Sequence, residues 1–266
     1  MELEEYAQIK RLVKSILDID LEYYKDQQMR RRLDSWLVRS GSPSWEDYFE
    51  HVRINPEEFL RFRNYLTINV SSFFRDAERW QSLRDVILTR LLKEALTTRP
   101  GGGLRIWSAG CSIGPEPYTL AILLDEMSSA RAHSILATDL DRGALAKAKG
   151  RGPYTVEDIQ NVTPEQRAAY FEPGGPPHYV IEKMTKRITF REHNMITEPF
   201  EKEYDLIVCR NVVIYFTADT KDLLYKKFQQ ALRPGGVLFV GATEIIPRPQ
   251  DIGLRTQGVS FYIRVA

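Results

Sequence analysis

The sequence predicts an α/β protein in which a small all-helical region precedes a mostly parallel, Rossmann-like sheet. Two observations carry this prediction. Apolar residues recur at helical spacing through residues 1–66, where strand patterns are absent. Beyond residue 104, short apolar strands alternate with helical segments, as in βαβ units, and glycine or proline separates many of them.

The composition is that of an ordinary globular protein and excludes several classes of partner. The 266 residues are 43% hydrophobic and 27% charged, with a net charge of +1, so no overall field favours nucleic acid or a membrane surface. The charged start, MELEEYAQIK, is unlike a signal peptide, and no run of 18 apolar residues occurs. Two cysteines and four histidines form no metal-ligand pattern. We expect a cytoplasmic, metal-free monomer.

The chain divides by pattern into three parts. Residues 1–66 form the helical N-terminal domain, and residues 67–103 form a linker loop followed by a long helix, Ala77 to Thr97. Residues 104–266 form the α/β domain. Within it, residues 154–171 have helical character, and a short β insert is expected near 171–187 after a proline and glycine break.

The second predicted helix carries a cluster of arginines, Arg30, Arg31, Arg32 and Arg39. Charged helix faces are commonly just solvated, and this is the default interpretation. The alternative is a docking surface for an acidic partner, in which these side chains act as exposed charges. On a helix Arg32 and Arg39 share a face, whereas Arg30 is turned about 200° from Arg32.

The stretch Leu104 to Leu124 has the order strand, glycine turn, helix that opens a nucleotide-binding α/β fold. Any parallel α/β domain needs such turns, so the turn around Gly110 is by itself weak evidence for a bound nucleotide. The sequence matches neither the dinucleotide glycine motif nor the phosphate loop, and Glu116 would repel a pyrophosphate. A cationic or zwitterionic nucleoside fits better than NAD or ATP, and S-adenosylmethionine (SAM) is the common one.

Polar residues follow three further predicted strands. Asp139 ends the second strand, where an acid can accept hydrogen bonds from both ribose hydroxyls, although it could be a simple turn residue. Asn194 and Met195 follow the third and could hold an adenine, with an amide for the base edge and a thioether beside the ring. His193 is interpreted as a surface residue.

The fourth strand, 204–209, is nearly all apolar and ends in Arg210 and Asn211, with Tyr215 shortly after. Ligands of open α/β sheets bind at the carboxyl ends of strands near the switch in strand order. We therefore expect these three residues to lie beside the glycine turn.

Four ordered motifs together resemble the CheR family, the chemotaxis receptor methyltransferases of bacteria. They read NVSSFFR at 69–75, WSAGCSIGPEPY at 107–118, ATDLD at 137–141 and CRNVVIYF at 209–216. The resemblance spans nearly the whole chain. The resemblance implies a small all-helical domain followed in sequence by a SAM-dependent methyltransferase domain. The ending LRPGG before an apolar strand is frequent in such enzymes, whose last two strands form an antiparallel pair.

The resemblance also implies an activity and a site. The activity is transfer of a methyl group from SAM to glutamate carboxylates on the cytoplasmic helical domains of chemotaxis receptors, leaving S-adenosylhomocysteine (SAH). Arg75 and Tyr215 would lie nearest the transferred methyl. Some members of the family use a β-hairpin insert to bind a short peptide at a receptor's C-terminus. The insert expected near 171–187 is short, so the resemblance does not extend to this binding. The cofactor contacts implied are Asn69, Ser71, Arg75, Gly110, Glu116, Asp139, Asn194, Met195, Arg210 and Asn211.

The expected chemistry agrees with the residues, because a glutamate side chain is already ionised at neutral pH and needs no general base. Two other classes stay open on sequence grounds. One is a methyltransferase of nucleic acid or a small molecule, although the motif Asn/Asp-Pro-Pro-Tyr of amino-methylating enzymes is replaced here by RNVV at 210–213. The other is a module that senses SAM without turnover.

Overall fold

The structure is a computed structural model that describes residues 2–67 and 70–265. Within these ranges the chain forms two compact units. One comprises residues 2–67 together with 214–222, and the other comprises residues 70–213 and 223–265.

The first unit contains four α-helices whose caps are visible in the sequence. Asn55 accepts backbone hydrogen bonds from Glu57 (3.0 Å) and Glu58 (3.2 Å), and Pro56 starts the helix after it. The buried core is aromatic, with the ring of Trp36 4.4 to 6.3 Å from its neighbours. The helices are α1 (Leu3–Leu17), α2 (Asp26–Ser40), α3 (Trp45–Ile54) and α4 (Pro56–Leu66).

A distant piece of sequence completes this unit. The backbone N–H of Lys25 donates to the Tyr215 carbonyl at 3.0 Å, and Thr217 donates to the Tyr23 carbonyl at 2.9 Å. The rings of Tyr24 and Phe216 lie 5.0 Å apart. A division of the chain at residue 66 therefore omits residues 214–222, because their partners are about 190 residues away in sequence.

The second unit begins with the long helix expected at 77–97, which is interrupted in its middle. Helix α5 (Ala77–Ser82) passes into a π-helical turn, Leu83–Leu88, and then into α6 (Thr89–Thr98). Trp80, Leu83, Leu88 and Leu91 are buried. The π turn adds one residue per turn, and all three segments keep an apolar face toward the core of this unit.

The sheet has seven strands in the order β3-β2-β1-β4-β5-β7-β6. Neighbours are parallel from β3 to β5, and β7 runs antiparallel to both β5 and β6. The predicted fold class is confirmed, and the short β6 is an addition to it. The strands are β1 (Arg105–Ala109), β2 (Ser134–Asp139), β3 (Ile188–Glu192), β4 (Tyr204–Cys209), β5 (Leu232–Val240), β6 (Leu254–Thr256) and β7 (Phe261–Arg264).

The switch in strand order falls between β1 and β4, because β1 pairs with β2 on one side and β4 on the other. Loops after β1 and β4 therefore leave the same edge of the sheet side by side, which is where open α/β sheets bind ligands. The remaining helices are α7 (Pro115–Ser128), α8 (Arg142–Lys149), α9 (Pro164–Tyr170) and α10 (Ala218–Ala231).

The segment from 154 to 187, all of it described, differs from the sequence-based prediction. Its α-helix is limited to α9, and residues 171–187 contain isolated bridges and a 3-10 helix, Glu182–Arg187, instead of a hairpin. The bridges join Tyr154 to His178 and Phe171 to Val180. The prolines at 173, 176 and 177 lack the N–H groups that a hairpin ladder requires.

Among the described residues, no helix has the length and apolar character needed to cross a bilayer.

Candidate functional site

The glycine turn after β1 is held by the end of β2. The backbone N–H groups of Gly110 and Cys111 both donate to the Thr138 carbonyl, at 2.8 and 2.9 Å. Gly110 has a φ of 82°, and a Cβ there would lie 2.6 Å from the Val212 side chain. Only glycine satisfies both conditions, so the loop after β4 can approach the turn closely.

Asp139 lies directly beside this turn at the end of β2. Its Oδ2 accepts the backbone N–H of Ser112 at 2.7 Å, and its Oδ1 accepts that of Asp141 at 2.9 Å. Burial raises the pKa of Asp139 to about 6, and these two hydrogen bonds oppose the rise. A carboxylate offers about four acceptor sites, so Asp139 keeps capacity for a ribose hydroxyl of a nucleoside beside its backbone hydrogen bonds.

Glu116 is a buried acid in the first turn of α7. Among the described residues its carboxylate accepts one hydrogen bond, from Ser108 Oγ to Oε1 at 2.7 Å, which leaves Oε2 available. Burial raises the pKa of Glu116 to about 7, the nearby guanidinium of Arg210 lowers it, and the Glu244 carboxylate raises it. A cationic group fits this position because its charge would offset the burial of the carboxylate.

Arg75 sits in a turn with a strained backbone. Its neighbours Phe74 and Asp76 have φ values of 51° and 60°, in the left-handed region that non-glycine residues seldom occupy. The turn is held by Phe74, whose N–H donates to Thr119 Oγ1 at 3.2 Å. The Arg75 guanidinium donates to the Val70 carbonyl at 2.9 Å and is half-buried, so part of it can reach a ligand.

Arg210 ties the end of β4 to that turn. Its Nη2 donates to the Arg75 carbonyl at 2.9 Å and to Asp76 Oδ2 at 2.7 Å. The guanidinium lies 5.2 Å from the Trp80 ring and 4.8 Å from the Phe239 ring. Burial lowers the pKa of Arg210, although the neighbouring acids oppose the shift. In this geometry Arg210 positions the turn and supplies positive charge near Glu116.

The loop after β3 contains the predicted adenine contacts. Asn194 Oδ1 accepts the backbone N–H of Ile196 at 3.0 Å, and Met195 is buried. Lys227 on α10 clamps this loop, since its Nζ donates to the carbonyls of Met195 (2.7 Å), Ile196 (3.1 Å) and Glu198 (2.8 Å). Lys227 was not predicted from the sequence, because a lysine on a helix gives no signal of its own.

Lys227→Met should weaken binding of the cofactor about tenfold, because three carbonyls lose their charged donor and the loop loses its fixed shape. The matched control is Lys226→Met, an exposed neighbour on the same helix. Calorimetric titration of both variants with SAH checks this. Equal affinities in two folded proteins would remove Lys227 from the site.

The thiols and the imidazole beside these strands are unsuited to act as bases. Cys111 and Cys209 are buried, and burial raises the pKa of both thiols well above the usual range. His193 is also buried, its pKa is lowered by burial, and its Nε2 lies 3.2 Å from the Pro199 carbonyl oxygen. The interpretation of His193 as a surface residue is wrong, because its ring packs 5.7 Å from that of Trp107.

Three other predicted site residues are not among the site contacts described above. Asn69 lies outside the described residues. Ser71 is half-buried in the segment before Phe73. Tyr215 belongs to the first unit, where its carbonyl accepts the N–H of Lys25, and its catalytic role stays a prediction.

The arginines of α2 do not all present exposed charges. Arg32 donates to the Tyr65 carbonyl and stacks 4.6 Å from the Tyr65 ring, and Arg30 lies 4.6 Å from the Tyr6 ring. The expectation of four exposed charges is therefore corrected for these two half-buried residues, which pack on aromatic rings through their planar guanidinium groups. Arg31 and Arg39 are exposed.

Comparison with known proteins identifies the class. Residues 69–259 match the family description "CheR methyltransferase, SAM binding domain", which makes this region the SAM-binding part of a SAM-dependent methyltransferase. Residues 4–67 match "CheR methyltransferase, all-alpha domain". The two matches cover nearly the whole chain, and the chain belongs to the CheR methyltransferase family.

The chain is also similar to chemotaxis protein methyltransferases over most of the length of both chains. The chain is 41% identical over 261 residues to a chemotaxis protein methyltransferase of Listeria monocytogenes, covering 98% of this chain and 97% of the relative. It is 32% identical to that of Klebsiella aerogenes (96% and 88% covered). It is 31% identical to that of Escherichia coli (90% and 83% covered).

The residues of the second unit fit SAM as the cofactor. The free Oε2 of Glu116 faces a buried environment that disfavours uncompensated negative charge, and SAM carries a sulfonium and an ammonium. The Asp139 carboxylate keeps hydrogen-bonding capacity for a ribose hydroxyl. NAD and ATP would instead bring phosphates toward these two acids.

Proposed function

We propose that the protein transfers the methyl group of SAM to glutamate side chains of methyl-accepting chemotaxis receptors, giving glutamate methyl esters and SAH. The observation that carries the proposal is the near full-length similarity to chemotaxis protein methyltransferases, which extends over both domains in the same order. A receptor substrate explains why the helical domain accompanies the SAM-binding domain.

Among the described residues, the two thiols and the His193 imidazole beside the strands are unsuited to act as bases, which is consistent with a carboxylate acceptor. SAM supplies an electrophilic sulfonium methyl, so the acceptor oxygen forms the new C–O bond as the C–S bond breaks and sulfur takes the electron pair. A glutamate carboxylate is ionised at neutral pH and has no proton to lose. The protein's task is then to align two oppositely charged groups and to exclude water from them.

Four charged groups of the second unit have a role in this proposal. Glu116 and Asp139 hold the cofactor through its cationic part and its ribose. Arg210 balances the charge of Glu116 and fixes the Arg75 turn by its hydrogen bond to the Arg75 carbonyl. The half-buried Arg75 guanidinium orients the acceptor carboxylate. The catalytic role of Tyr215, which the family resemblance implies, stays a prediction.

The test is methyl transfer from tritiated SAM to membranes that contain methyl-accepting receptor. The radioactivity should enter the receptor band and be released as volatile methanol by mild alkali, as esters are. Receptor in which the methyl-accepting glutamates are replaced by alanine should remain unlabelled. Alkali-stable label would instead indicate another acceptor class. Tight SAM binding with no transfer would indicate a sensing module.

Arg75→Ala should lower turnover at least about tenfold while changing SAH affinity less, because its side chain is assigned to the acceptor carboxylate. The variant keeps the Arg75 carbonyl, which accepts from Arg210 and from Trp80 Nε1 (2.9 Å), so the turn should persist. Tyr215→Phe should show the same pattern. Arg79→Ala on α5 is the control. Wild-type methylation rates in either test variant would refute its assignment.

The docking surface is now restricted to the arginines that are exposed. Arg31 lines a groove with Gln27, Gln28, Arg30 and Asp34. Arg31→Glu should raise the Michaelis constant for receptor several-fold, chiefly at low salt, with SAH binding unchanged. Arg53→Glu on α3 makes the same charge change at another exposed position. If both variants behave alike, the α2 arginines form a solvated face.

A further inference from the structure

Glu244 is a buried acid that the sequence pattern did not indicate. It lies in the turn after β5, where it is 5% exposed and its own N–H donates to the Gly241 carbonyl at 3.0 Å. An ionised carboxylate is costly to bury unless hydrogen bonds satisfy its oxygens. Its partners therefore show what the residue does.

Three backbone N–H groups from two loops converge on this carboxylate. Oε2 accepts from Gly241 at 2.6 Å and from Asn211 at 2.9 Å, and Oε1 accepts from Val212 at 3.1 Å. Gly241 directly follows β5, whereas Asn211 and Val212 follow β4. One side chain thus fastens together the carboxyl ends of two neighbouring strands.

The backbone around the carboxylate is shaped for it. Asn211 has a φ of 59°, in the left-handed region that non-glycine residues seldom occupy, where the chain leaves β4. A Cβ at Gly241 would lie 2.6 Å from Glu244 Oε2 and 3.0 Å from the Asn211 nitrogen. Any larger residue at 241 would displace the carboxylate or the loop, so glycine is required there.

The fastened loop forms one side of the cofactor site. It carries Arg210, which binds the Arg75 turn, and Val212, which leaves room only for glycine at 110. We propose that Glu244 is a positioning residue of the SAM site, which acts by fixing the Arg210–Val212 loop against the glycine turn. This inference rests on SAM binding and does not depend on the identity of the methyl acceptor.

The charge of Glu244 gives the proposal a second readout. Arg210 and Arg75 lower the pKa of Glu116, whereas Glu244 raises it. Removal of this negative charge should therefore lower the pKa of Glu116. If binding requires ionised Glu116, the pH midpoint of cofactor binding should move to lower pH. A residue with only a structural role would weaken binding without moving that midpoint in this direction.

The experiment is calorimetric titration of the full-length chain with SAH between pH 6 and 9. Glu244→Gln should weaken binding about tenfold at pH 8, because an amide NH₂ would face a backbone N–H, and should shift the midpoint downward. Glu244→Asp, which keeps the charge, should show the normal midpoint. Glu182→Gln, on the exposed Glu182–Arg187 turn, is the control.

Gly241→Ala tests the same clamp without any change of charge. It should weaken SAH binding, and the loss should be smaller when Glu244 is already glutamine, since both changes act on one contact. Should Glu244→Gln fail to fold, Gly241→Ala and Glu244→Asp decide the question. Folded variants with wild-type affinity would overturn the proposal. Because SAH is the probe, a failure of the proposed receptor activity would not affect this outcome.

Discussion

Glu116→Gln is expected to weaken SAH binding at pH 8 by about ten- to a hundredfold, the range of one charge-assisted hydrogen bond. Among the described residues, Ser108 is the one hydrogen-bond donor to the buried carboxylate, whose Oε2 is available to a cation. Glutamine keeps the bond from Ser108 but loses the charge. Calorimetric titration of the variant measures the difference, and Glu182→Gln provides an exposed control.

The same substitution is expected to stabilise the protein when no cofactor is bound. Since burial raises the pKa of Glu116 from 4.5 to about 7, the ionised form is disfavoured in the fold. Stability from this group is present below pH 4.5 and is lost as pH rises through about 7. At about 1.4 kcal/mol per pKa unit, the rise from 4.5 to about 7 corresponds to a gain from glutamine of up to about 3.5 kcal/mol at pH 8.

Thermal melts at two pH values test whether Glu116→Gln stabilises the protein. The melting temperature of Glu116→Gln should exceed that of the parent at pH 8 and should equal it near pH 4.5. Wild-type SAH binding should tighten as pH rises toward 7 and then level off. A lower melting temperature for the variant at pH 8 would mean that the attraction of Arg210 outweighs the burial of Glu116.

Asp205→Asn is expected to cost about 3 to 5 kcal/mol of unfolding free energy, the usual loss when one partner of a buried ion pair is removed. Asp205, in β4, is 1% exposed. Its Oδ1 accepts from Arg233 Nε at 2.6 Å, and its Oδ2 accepts from Arg99 and from the Arg105 N–H at 2.8 Å. Urea unfolding measures the loss.

Glu201→Gln is the matched control for this prediction. Glu201 pairs with Arg191 at 2.8 Å, but both side chains are more than 40% exposed, so the loss should be below about 1 kcal/mol. Asp205 sits near the amino end of β4, away from the carboxyl end that carries the site. Folded Asp205→Asn should therefore bind SAH normally, and similar losses in the two variants would contradict the ranking.

The sequence by itself predicted most of the helices and strands, and the edge of the sheet at which the candidate site residues lie. The alternation of strands and helices, the glycine turn at 110 and the acids at 116 and 139 are local patterns. The rule that parallel strands end at one edge then brought the residues after β1, β2 and β4 together. The charge of Glu116 favours a cationic cofactor on sequence grounds alone, because an acidic residue type can be identified without knowing the fold.

Tertiary structure decided which side chains are free and which are already engaged. Arg31 and Arg32 are neighbours on the same helix, but of these two residues it is Arg32 that donates to the Tyr65 carbonyl and stacks on the Tyr65 ring. Glu244 and Lys227 acquire roles through backbone groups 29 to 33 positions away. Helical and strand periodicity report a residue's own segment, whereas burial, hydrogen bonding and pKa depend on neighbours that only the folded chain brings within a few ångströms.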